Sequence, residues 1–343
     1  MYVALLGKNV ARFVNEPPNN GSWRYWYNRY VVLKESECVM RGLPWRNILW
    51  GILVIIVIVG IIYREPIEFN IKLLNVARIG KAYYEEYPFI AKNIAYGTAE
   101  HQRLDIYRPE KPGNYPVIVY IHGGGWNSGD KELYALVAQK LVPLGMVVVV
   151  PTYKLHPDAT YAGMIDDVAA AISWTIENID QYSGNPKRIV LGGQSAGAQL
   201  SAMAFMDASV LAKYQHSSAE ICGYYGISGV YDINAQYAFE QSYGRPAPVM
   251  TAVMGGQANF TATSPTNYIR ADLPPMLFIH GDADETVPLQ MSQDFVAALQ
   301  KAGVKADLRV YPERGHSELL FYTLTQNPGQ LITDVVEFAN QCP

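Results

Sequence analysis

Ser195 has the setting of a reactive side chain. It stands in the segment Gly193-Gln194-Ser195-Ala196-Gly197, which fits the pattern G-x-S-x-G. An apolar run at 189–192 predicts a strand before it, and small residues favouring a helix follow. A strand, a sharp turn and a helix together present a nucleophilic serine, and a Cβ at either flanking glycine would collide with a neighbouring element. The five residues alone also fit an ordinary glycine-rich turn. A base, an acid and an oxyanion-binding loop must therefore be found elsewhere.

A glycine-rich segment supplies candidate oxyanion donors. His122-Gly123-Gly124-Gly125-Trp126 directly follows the apolar run 116–121. Consecutive glycines let backbone N–H groups approach a substrate oxygen, and one such donor contributes about 10²–10³-fold in rate. We assign this role to Gly124 and Gly125, together with the N–H of Ala196. A phosphate-binding turn is the alternative, but the segment lacks a lysine and the G-x-G-x-x-G spacing.

Two further loops supply the acid and the base. Asp284 follows the predicted strand 276–280 and is preferred over Asp282 and Glu285 because its place on the turn allows it to point back at a histidine loop. His316 alone among the histidines follows the final strand, and an imidazole can accept and return a proton near neutral pH. The chain order serine, aspartate, histidine is that of α/β-hydrolases.

The elements around these residues predict an α/β-hydrolase fold. Strands alternate with helices, which favours a mostly parallel eight-stranded sheet covered on both faces. The site would lie at the carboxyl ends of the strands. Residues 231–272 interrupt the alternation and suggest a lid or a pocket-lining insertion. The predicted strands are two within 93–107, then 116–121, 146–150, 189–191, 221–225, 276–280 and 308–311, and the predicted helices are about 131–144, 161–179, 289–302 and 330–340.

The N-terminal part predicts a membrane anchor. The uncharged run 47–63, rich in Ile, Val and Leu, would span about 25 Å as a single helix. The organisation expected is a tail at 1–46, a transmembrane anchor at 47–63, a connector at 64–92 and a catalytic domain at 93–343. The tail carries more basic than acidic residues, which favours a single-pass protein with its catalytic domain on the non-cytosolic side. A second hypothesis starts translation at Met40, because a basic stretch there leads into the apolar run as in a signal anchor.

Net charge and cysteine spacing argue against several other classes of protein. The net charge is −4 without blocks of like charge, so nucleic-acid binding has no electrostatic footprint. The cysteines Cys38, Cys222 and Cys342 lack C-x-x-C spacing, so neither a zinc site nor a disulfide scaffold is expected. No metal or organic cofactor is implied, and the expected partners are a small-molecule ester and a membrane. The sequence does not define an oligomeric state.

These residues resemble the HGGGW-type esterases of the α/β-hydrolase superfamily. The stretch from Ile176 through Arg188 to Ala198, and Tyr225-Gly226-Ile227-Ser228-Gly229, are similar to isoprenylcysteine α-carbonyl methylesterases. The resemblance covers about 93–325 and implies a membrane-associated carboxylesterase. Gln199 departs from it, because a histidine is expected there.

The resemblance leaves several assignments open. Trp126, Tyr224 and Tyr225 are candidate substrate-binding residues, with a core position as the alternative for each. Kynurenine formamidases share the pattern, so an arylformamidase using the same triad on a C–N bond is one alternative function. A non-catalytic binding protein of the same fold is another, although that class usually loses the serine or the histidine.

Overall fold

The computed structural model describes residues 74–75, 78–325 and 329–343. Residues 71–343 form one compact unit. The predicted tail, the predicted anchor at 47–63 and most of the connector lie outside the described residues. Within the described residues, no helix combines the length and the apolar character needed to cross a membrane.

The described strands form one eight-stranded sheet. Their order is β1-β2-β4-β3-β5-β6-β7-β8, with β1 and β2 antiparallel to their neighbours and the others parallel. This confirms the predicted mostly parallel sheet. The strands are β1 (Ile90–Ala95), β2 (Arg103–Tyr107), β3 (Tyr115–Ile121), β4 (Val147–Pro151), β5 (Gly184–Gln194), β6 (Gly223–Ile227), β7 (Met276–Gly281) and β8 (Ala306–Tyr311).

Helices cover both faces of the sheet. In β3, Val117 and Val119 point into one hydrophobic core and Ile118 and Tyr120 into the other, because successive side chains of a strand face opposite sides. Helices α2, α3 and α7 line the first core, and α1, α8 and α9 line the second. The helices are α1 (Ala135–Leu141), α2 (Tyr161–Asn178), α3 (Ala196–Met206), α4 (Ala208–Ala212), α5 (Ile233–Ser242), α6 (Pro248–Val253), α7 (Leu289–Lys301), α8 (His316–Thr325) and α9 (Gln330–Asn340).

Several element boundaries differ by a few residues from the sequence predictions, for example the helix predicted at about 131–144, which the structure has as α1 (Ala135–Leu141). Strand β1 begins at Ile90, so the predicted domain start at residue 93 falls inside a strand. Helix α8 begins at His316, where the sequence analysis expected a loop. The segment between β6 and β7 contains α5 and α6 together with short 3₁₀ turns, as an insertion would.

A disulfide bond joins the end of the described chain to the sheet. Cys222, just before β6, is bonded to Cys342, just after α9, over a sequence separation of 120 residues. The expectation that the cysteines form no disulfide is therefore wrong for this pair. Sequence spacing gave no signal because the two residues meet only through the tertiary fold.

Candidate active site

Ser195 occupies a sharp turn between β5 and α3. Its backbone has φ 55° and ψ −122°, a conformation that costs a residue with a side chain about 1–3 kcal/mol. The Ser195 N–H donates to the carbonyl oxygen of Ile227 at 2.9 Å, which ties the turn to β6. The side chain lies at the N-terminus of α3, and 9% of the residue is exposed. The turn that carries Ser195 is therefore fixed to β6, and only a small part of the residue is exposed.

The flanking glycines are required by close backbone approach. A Cβ on Gly193 would lie 2.6 Å from the carbonyl oxygen of Gly197. A Cβ on Gly197 would lie 2.1 Å from the carbonyl oxygen of Ile121, at the end of β3. The first turn of α3 therefore packs directly on its own strand and on β3, which explains both fixed glycines of the pattern.

The loop after β3 turns through three successive residues with positive φ. The values are 122° for Gly124, 58° for Gly125 and 62° for Trp126. The N–H and the hydroxyl of Ser128 donate to the carbonyl oxygen of Gly124 at 3.0 and 2.8 Å, so this carbonyl faces into the loop. In the part of the chain that the structure describes, no hydrogen bond uses the N–H of Gly124, Gly125 or Ala196 as donor. These donors are free to bind a developing negative charge.

His316 and Asp284 form a directly bonded pair. Nδ1 of His316 lies 2.8 Å from Oδ2 of Asp284, whose side chain is fully buried. Oδ1 of Asp284 accepts hydrogen bonds from the N–H groups of Thr286 and Val287, each at 2.9 Å. The carboxylate can only accept, so Nδ1 of His316 carries the proton and Nε2 carries the lone pair.

The carboxyl group of Asp284 is held ionised. Burial opposes its ionisation, but the hydrogen bonds from His280 and His316, the charge of His316 and the N–H of Val287 outweigh burial. Together they hold the pKa of Asp284 well below its usual range. A permanent negative charge at this point stabilises an imidazolium on His316 when that ring takes up a proton.

His280 is a site residue that the sequence analysis assigned only to the end of a strand. It is fully buried, and its Nε2 lies 2.9 Å from the carbonyl oxygen of Val287 and 3.3 Å from Oδ2 of Asp284. Its Nδ1 lies 2.7 Å from Oγ of Ser292. With only acceptors at Nε2, this nitrogen carries the proton, and His280 is a second histidine in contact with Oδ2 of Asp284. Sequence spacing gives no sign of this contact.

His316 faces the serine turn across Gln194. Nε2 of His316 lies 3.3 Å from Nε2 of Gln194, the residue before Ser195. Among the hydrogen bonds of the described residues, none joins Ser195 Oγ to His316. The structure therefore brings the histidine–aspartate pair to the serine turn, with the amide of Gln194 in contact with the ring. Catalytic hydrogen bonds are often long without substrate and tighten when it binds.

The other predicted site residues are placed less centrally. Tyr224 and Tyr225 are fully buried and lie in the two cores on opposite faces of the sheet, so the structure does not bring them together at the site. Trp126 lies on the glycine loop with its ring buried. Asp282 is exposed and accepts from the N–H of Glu313 at 2.6 Å, as a turn residue does. Within the described residues, no group of three or more His, Cys, Asp or Glu side chains could hold a metal ion.

Known proteins share this architecture. A carbohydrate esterase from gut microbiota, of solved structure, superimposes with a TM-score of 0.63 and 26% identity, covering 74% of this chain and 95% of that one. A propionate-bound esterase from Thermogutta terrifontis superimposes with a TM-score of 0.60 and 24% identity, covering 75% and 95% of the two chains. The class of the protein is thus the α/β-hydrolases. The family model BD-FAE matches residues 104–299, more than half of the chain, and the chain belongs to that family.

Relatives of known sequence are named as esterases. The chain is 30% identical to a probable isoprenylcysteine alpha-carbonyl methylesterase of Arabidopsis thaliana over 251 residues, which are 69% of this chain and 53% of that protein. It is 32% identical to Esterase LipQ of Mycobacterium tuberculosis over 243 residues, 67% of this chain and 57% of that protein. The match therefore spans little more than half the length of these relatives.

Proposed function

We propose that this protein is a membrane-anchored serine esterase that hydrolyses small carboxylic esters through an acyl-enzyme. The 2.8 Å pairing of His316 Nδ1 with Asp284 Oδ2, next to a strained serine, is the observation that carries the proposal. The relatives and the solved structures, all named as esterases, support the same activity.

The proposed reaction has two steps. His316 Nε2 takes the proton of the Ser195 hydroxyl, and the oxygen attacks the ester carbonyl carbon. The N–H groups of Gly124, Gly125 and Ala196 bind the resulting oxyanion. His316 then gives its proton to the leaving alcohol, and a water molecule activated by the same ring hydrolyses the acyl-enzyme. Asp284 keeps the imidazole in the required tautomer throughout.

The names of the relatives indicate an ester substrate but differ in how closely they define it. One is named as a methylesterase of isoprenylcysteine and another simply as an esterase. We therefore propose small carboxylic esters in general, with a prenylcysteine methyl ester as one candidate.

A substitution of the serine tests this proposal. Ser195→Ala removes the nucleophile, and kcat on p-nitrophenyl acetate should fall by about 10⁴-fold or more with the thermal unfolding curve unchanged. Ser201→Ala is the matched control, because Ser201 is a buried serine on the same helix whose hydroxyl donates to the carbonyl oxygens of Gly197 and Ala198. Its activity should stay within about threefold of the wild type.

A substrate panel decides the chemistry. It contains p-nitrophenyl esters of increasing chain length, a prenylcysteine methyl ester and N-formylkynurenine. Hydrolysis of the amide in preference to all esters would replace the esterase by an arylformamidase. Full ester turnover by Ser195→Ala would exclude the mechanism.

The same proposal includes a single transmembrane helix at 47–63 and a catalytic domain on the non-cytosolic side. The disulfide between Cys222 and Cys342 supports that side, because disulfides persist mainly in oxidising compartments. Protease added to sealed vesicles of known orientation tests it. The catalytic domain should be protected in vesicles that enclose the non-cytosolic side. Digestion there, without detergent, would place the domain on the cytosolic face.

A further inference from the structure

Gln199 has a polar side chain that is completely buried, one helical turn after Ser195. None of it is exposed to solvent. Its Oε1 accepts a hydrogen bond from the indole Nε1–H of Trp126 at 3.1 Å, and its Nε2 donates to the carbonyl oxygen of Thr263 at 2.8 Å. An indole N–H can only donate and a carbonyl can only accept, so the partners fix which way the amide points.

The first partner lies on a strained loop. Trp126 is the third successive residue with positive φ, and unlike Gly124 and Gly125 it has a side chain that disfavours this conformation. Such a conformation persists only where its surroundings hold it. Two hydrogen bonds hold Trp126, the indole bond to Gln199 and the bond from the His156 N–H to the Trp126 carbonyl oxygen at 2.9 Å, and its ring packs in the first core.

The second partner belongs to the insertion between β6 and β7. The N–H and the hydroxyl of Thr263 both donate to the carbonyl oxygen of Asn259 at 3.0 Å, so the Thr263 backbone is fixed within its own segment. The Thr263 carbonyl oxygen is thus a hydrogen-bond acceptor of fixed position for the Gln199 amide. In addition, the Gln199 N–H donates to the carbonyl oxygen of Ser195 at 3.2 Å. Gln199 therefore connects the nucleophile turn, the glycine loop and the insertion.

We propose that Gln199 is a positioning residue that holds the glycine loop, through Trp126, in the conformation that binds the oxyanion. It touches neither the substrate nor the reacting atoms. This proposal rests on the proposed esterase function. Because the oxyanion forms only after attack, a loosened loop weakens binding of the transition state more than binding of the ester.

Gln199→Met tests the proposal, because methionine fills a similar volume without either hydrogen bond. We expect kcat on p-nitrophenyl acetate to fall by about 10–100-fold with KM within about twofold. Trp126→Phe breaks the same bond from the other side. The double variant should lose no more than the worse single variant, since both remove one interaction. If Gln199→Met does not fold, Trp126→Phe alone carries the test.

Thr175→Val is the matched control. Thr175 is equally buried, and its hydroxyl donates to the Ala171 carbonyl oxygen at 2.7 Å within α2. Its kcat should stay within about threefold of the wild type.

Backbone hydrogen exchange gives a readout that does not depend on activity. Peptides covering 122–130 should exchange faster in Gln199→Met than in the wild type or in Thr175→Val, while peptides from β5 stay unchanged. Unchanged exchange in the loop, or a fall in kcat equal to that of Thr175→Val, would overturn the proposal. A wild type that hydrolyses no ester would instead refute the proposed function, and the exchange data would still decide whether Gln199 holds the loop.

Discussion

Four contacts fix the orientation of the buried Asp284 carboxylate. Two backbone N–H groups hold Oδ1, and two histidine rings meet Oδ2. The contacts come from the loop itself, from the end of β7 and from the start of α8. One carboxylate therefore fixes the relative positions of three segments, and its charge matters for the fold as well as for the proposed chemistry.

Asp284→Asn should lower both activity and stability, the latter in a pH-dependent manner. We expect kcat to fall by about 10⁴-fold, because the amide no longer selects the histidine tautomer. The folded-state pKa of Asp284 lies below the unfolded value of about 3.9. Its carboxylate therefore stabilises the fold fully above that value, and the stabilisation is lost as the pH falls from there through the folded-state pKa.

Urea unfolding at pH 7, 5 and 3 measures this effect. The gap in unfolding free energy between wild type and Asp284→Asn should be largest at pH 7 and 5 and should narrow at pH 3. Asp282→Asn is the control, because Asp282 is exposed and contacts only a backbone N–H of the next loop. A gap for Asp284→Asn that does not change with pH would contradict the assigned pKa direction.

Sequence reasoning reaches the residues of the proposed triad because each stands in a local pattern directly after a strand. Gln199 and Gln194 escape it because they act through contacts with segments far away in the chain, and His280 escapes it because its place in β7 indicates only a strand end. Gln199 meets Thr263, for example, across 64 residues. Tyr224 and Tyr225 are the opposite case: the sequence makes them candidates for substrate binding, and the structure buries both in the cores. An aromatic residue beside a site motif is as suitable for a core as for a pocket.

At the scale of elements, a buried ion pair anchors the segment after the glycine loop. Lys131 Nζ lies 2.8 Å from Oδ2 of Asp105 on β2, and both side chains are almost completely shielded from solvent. Asp105 also accepts from the N–H of Asn93 on β1, and Lys131 donates to the hydroxyl of Tyr84. The pair thus joins the antiparallel edge of the sheet to the segment that follows the glycine loop, where the proposed oxyanion donors lie.

Lys131→Met should destabilise the protein by about 3–5 kcal/mol, because it leaves the Asp105 carboxylate buried without a counter-charge. The double variant Lys131→Met, Asp105→Asn should recover part of this loss, since no buried charge remains. Urea unfolding at pH 7 provides the measurement.

An exposed ion pair serves as the comparison. Nζ of Lys213 lies 3.5 Å from Oδ1 of Asp166, and both side chains are about half exposed. Lys213→Met should cost no more than about 1 kcal/mol. Equal losses for Lys131→Met and Lys213→Met would mean that the buried pair does not anchor the loop.

The strands and the long helices are predictable from sequence because their hydrophobic patterns are local. The predicted helix at 330–340 matches α9, and the predicted helix at 161–179 differs from α2 by one residue. Helix α8 is missed because it begins at a residue singled out for chemistry and follows a glycine, features that favour a loop. Strand order, in contrast, depends on which strands pair, and the pattern along the chain leaves that open.

At the scale of the whole molecule, the disulfide closes the described domain. It joins α9, on one face of the sheet, to the start of β6 in the middle of the sheet. The residues between the two cysteines include the insertion, Asp284 and His316 at the start of α8. Reduction would increase the conformational entropy of this segment in the unfolded state, and it would leave the residues of the proposed site chemically unchanged.

The variant Cys222→Ser, Cys342→Ser should therefore lose stability while its activity at 25 °C stays near that of the wild type. A loop of this length gives a loss of up to about 5 kcal/mol in the chain-entropy model. Thermal unfolding with and without dithiothreitol measures it: the reductant should lower the Tm of the wild type and leave that of the double variant unchanged. Cys38→Ser should keep the response of the wild type. A wild-type Tm insensitive to full reduction would contradict a stabilising disulfide.

The insertion is attached to the helix of the proposed nucleophile through the main-chain carbonyl of residue 263, which every amino acid possesses. This attachment places no demand on the side chain of residue 263, whereas the Arg270 side chain of the same insertion donates to the carbonyl oxygens of Phe205 and Met206 in α3. A segment grafted between β6 and β7 would leave the proposed triad residues Ser195, Asp284 and His316 unchanged, because all three lie outside the insertion. The graft would have to return a carbonyl oxygen to within hydrogen-bond distance of the Gln199 amide and replace the contact that Arg270 makes with the end of α3.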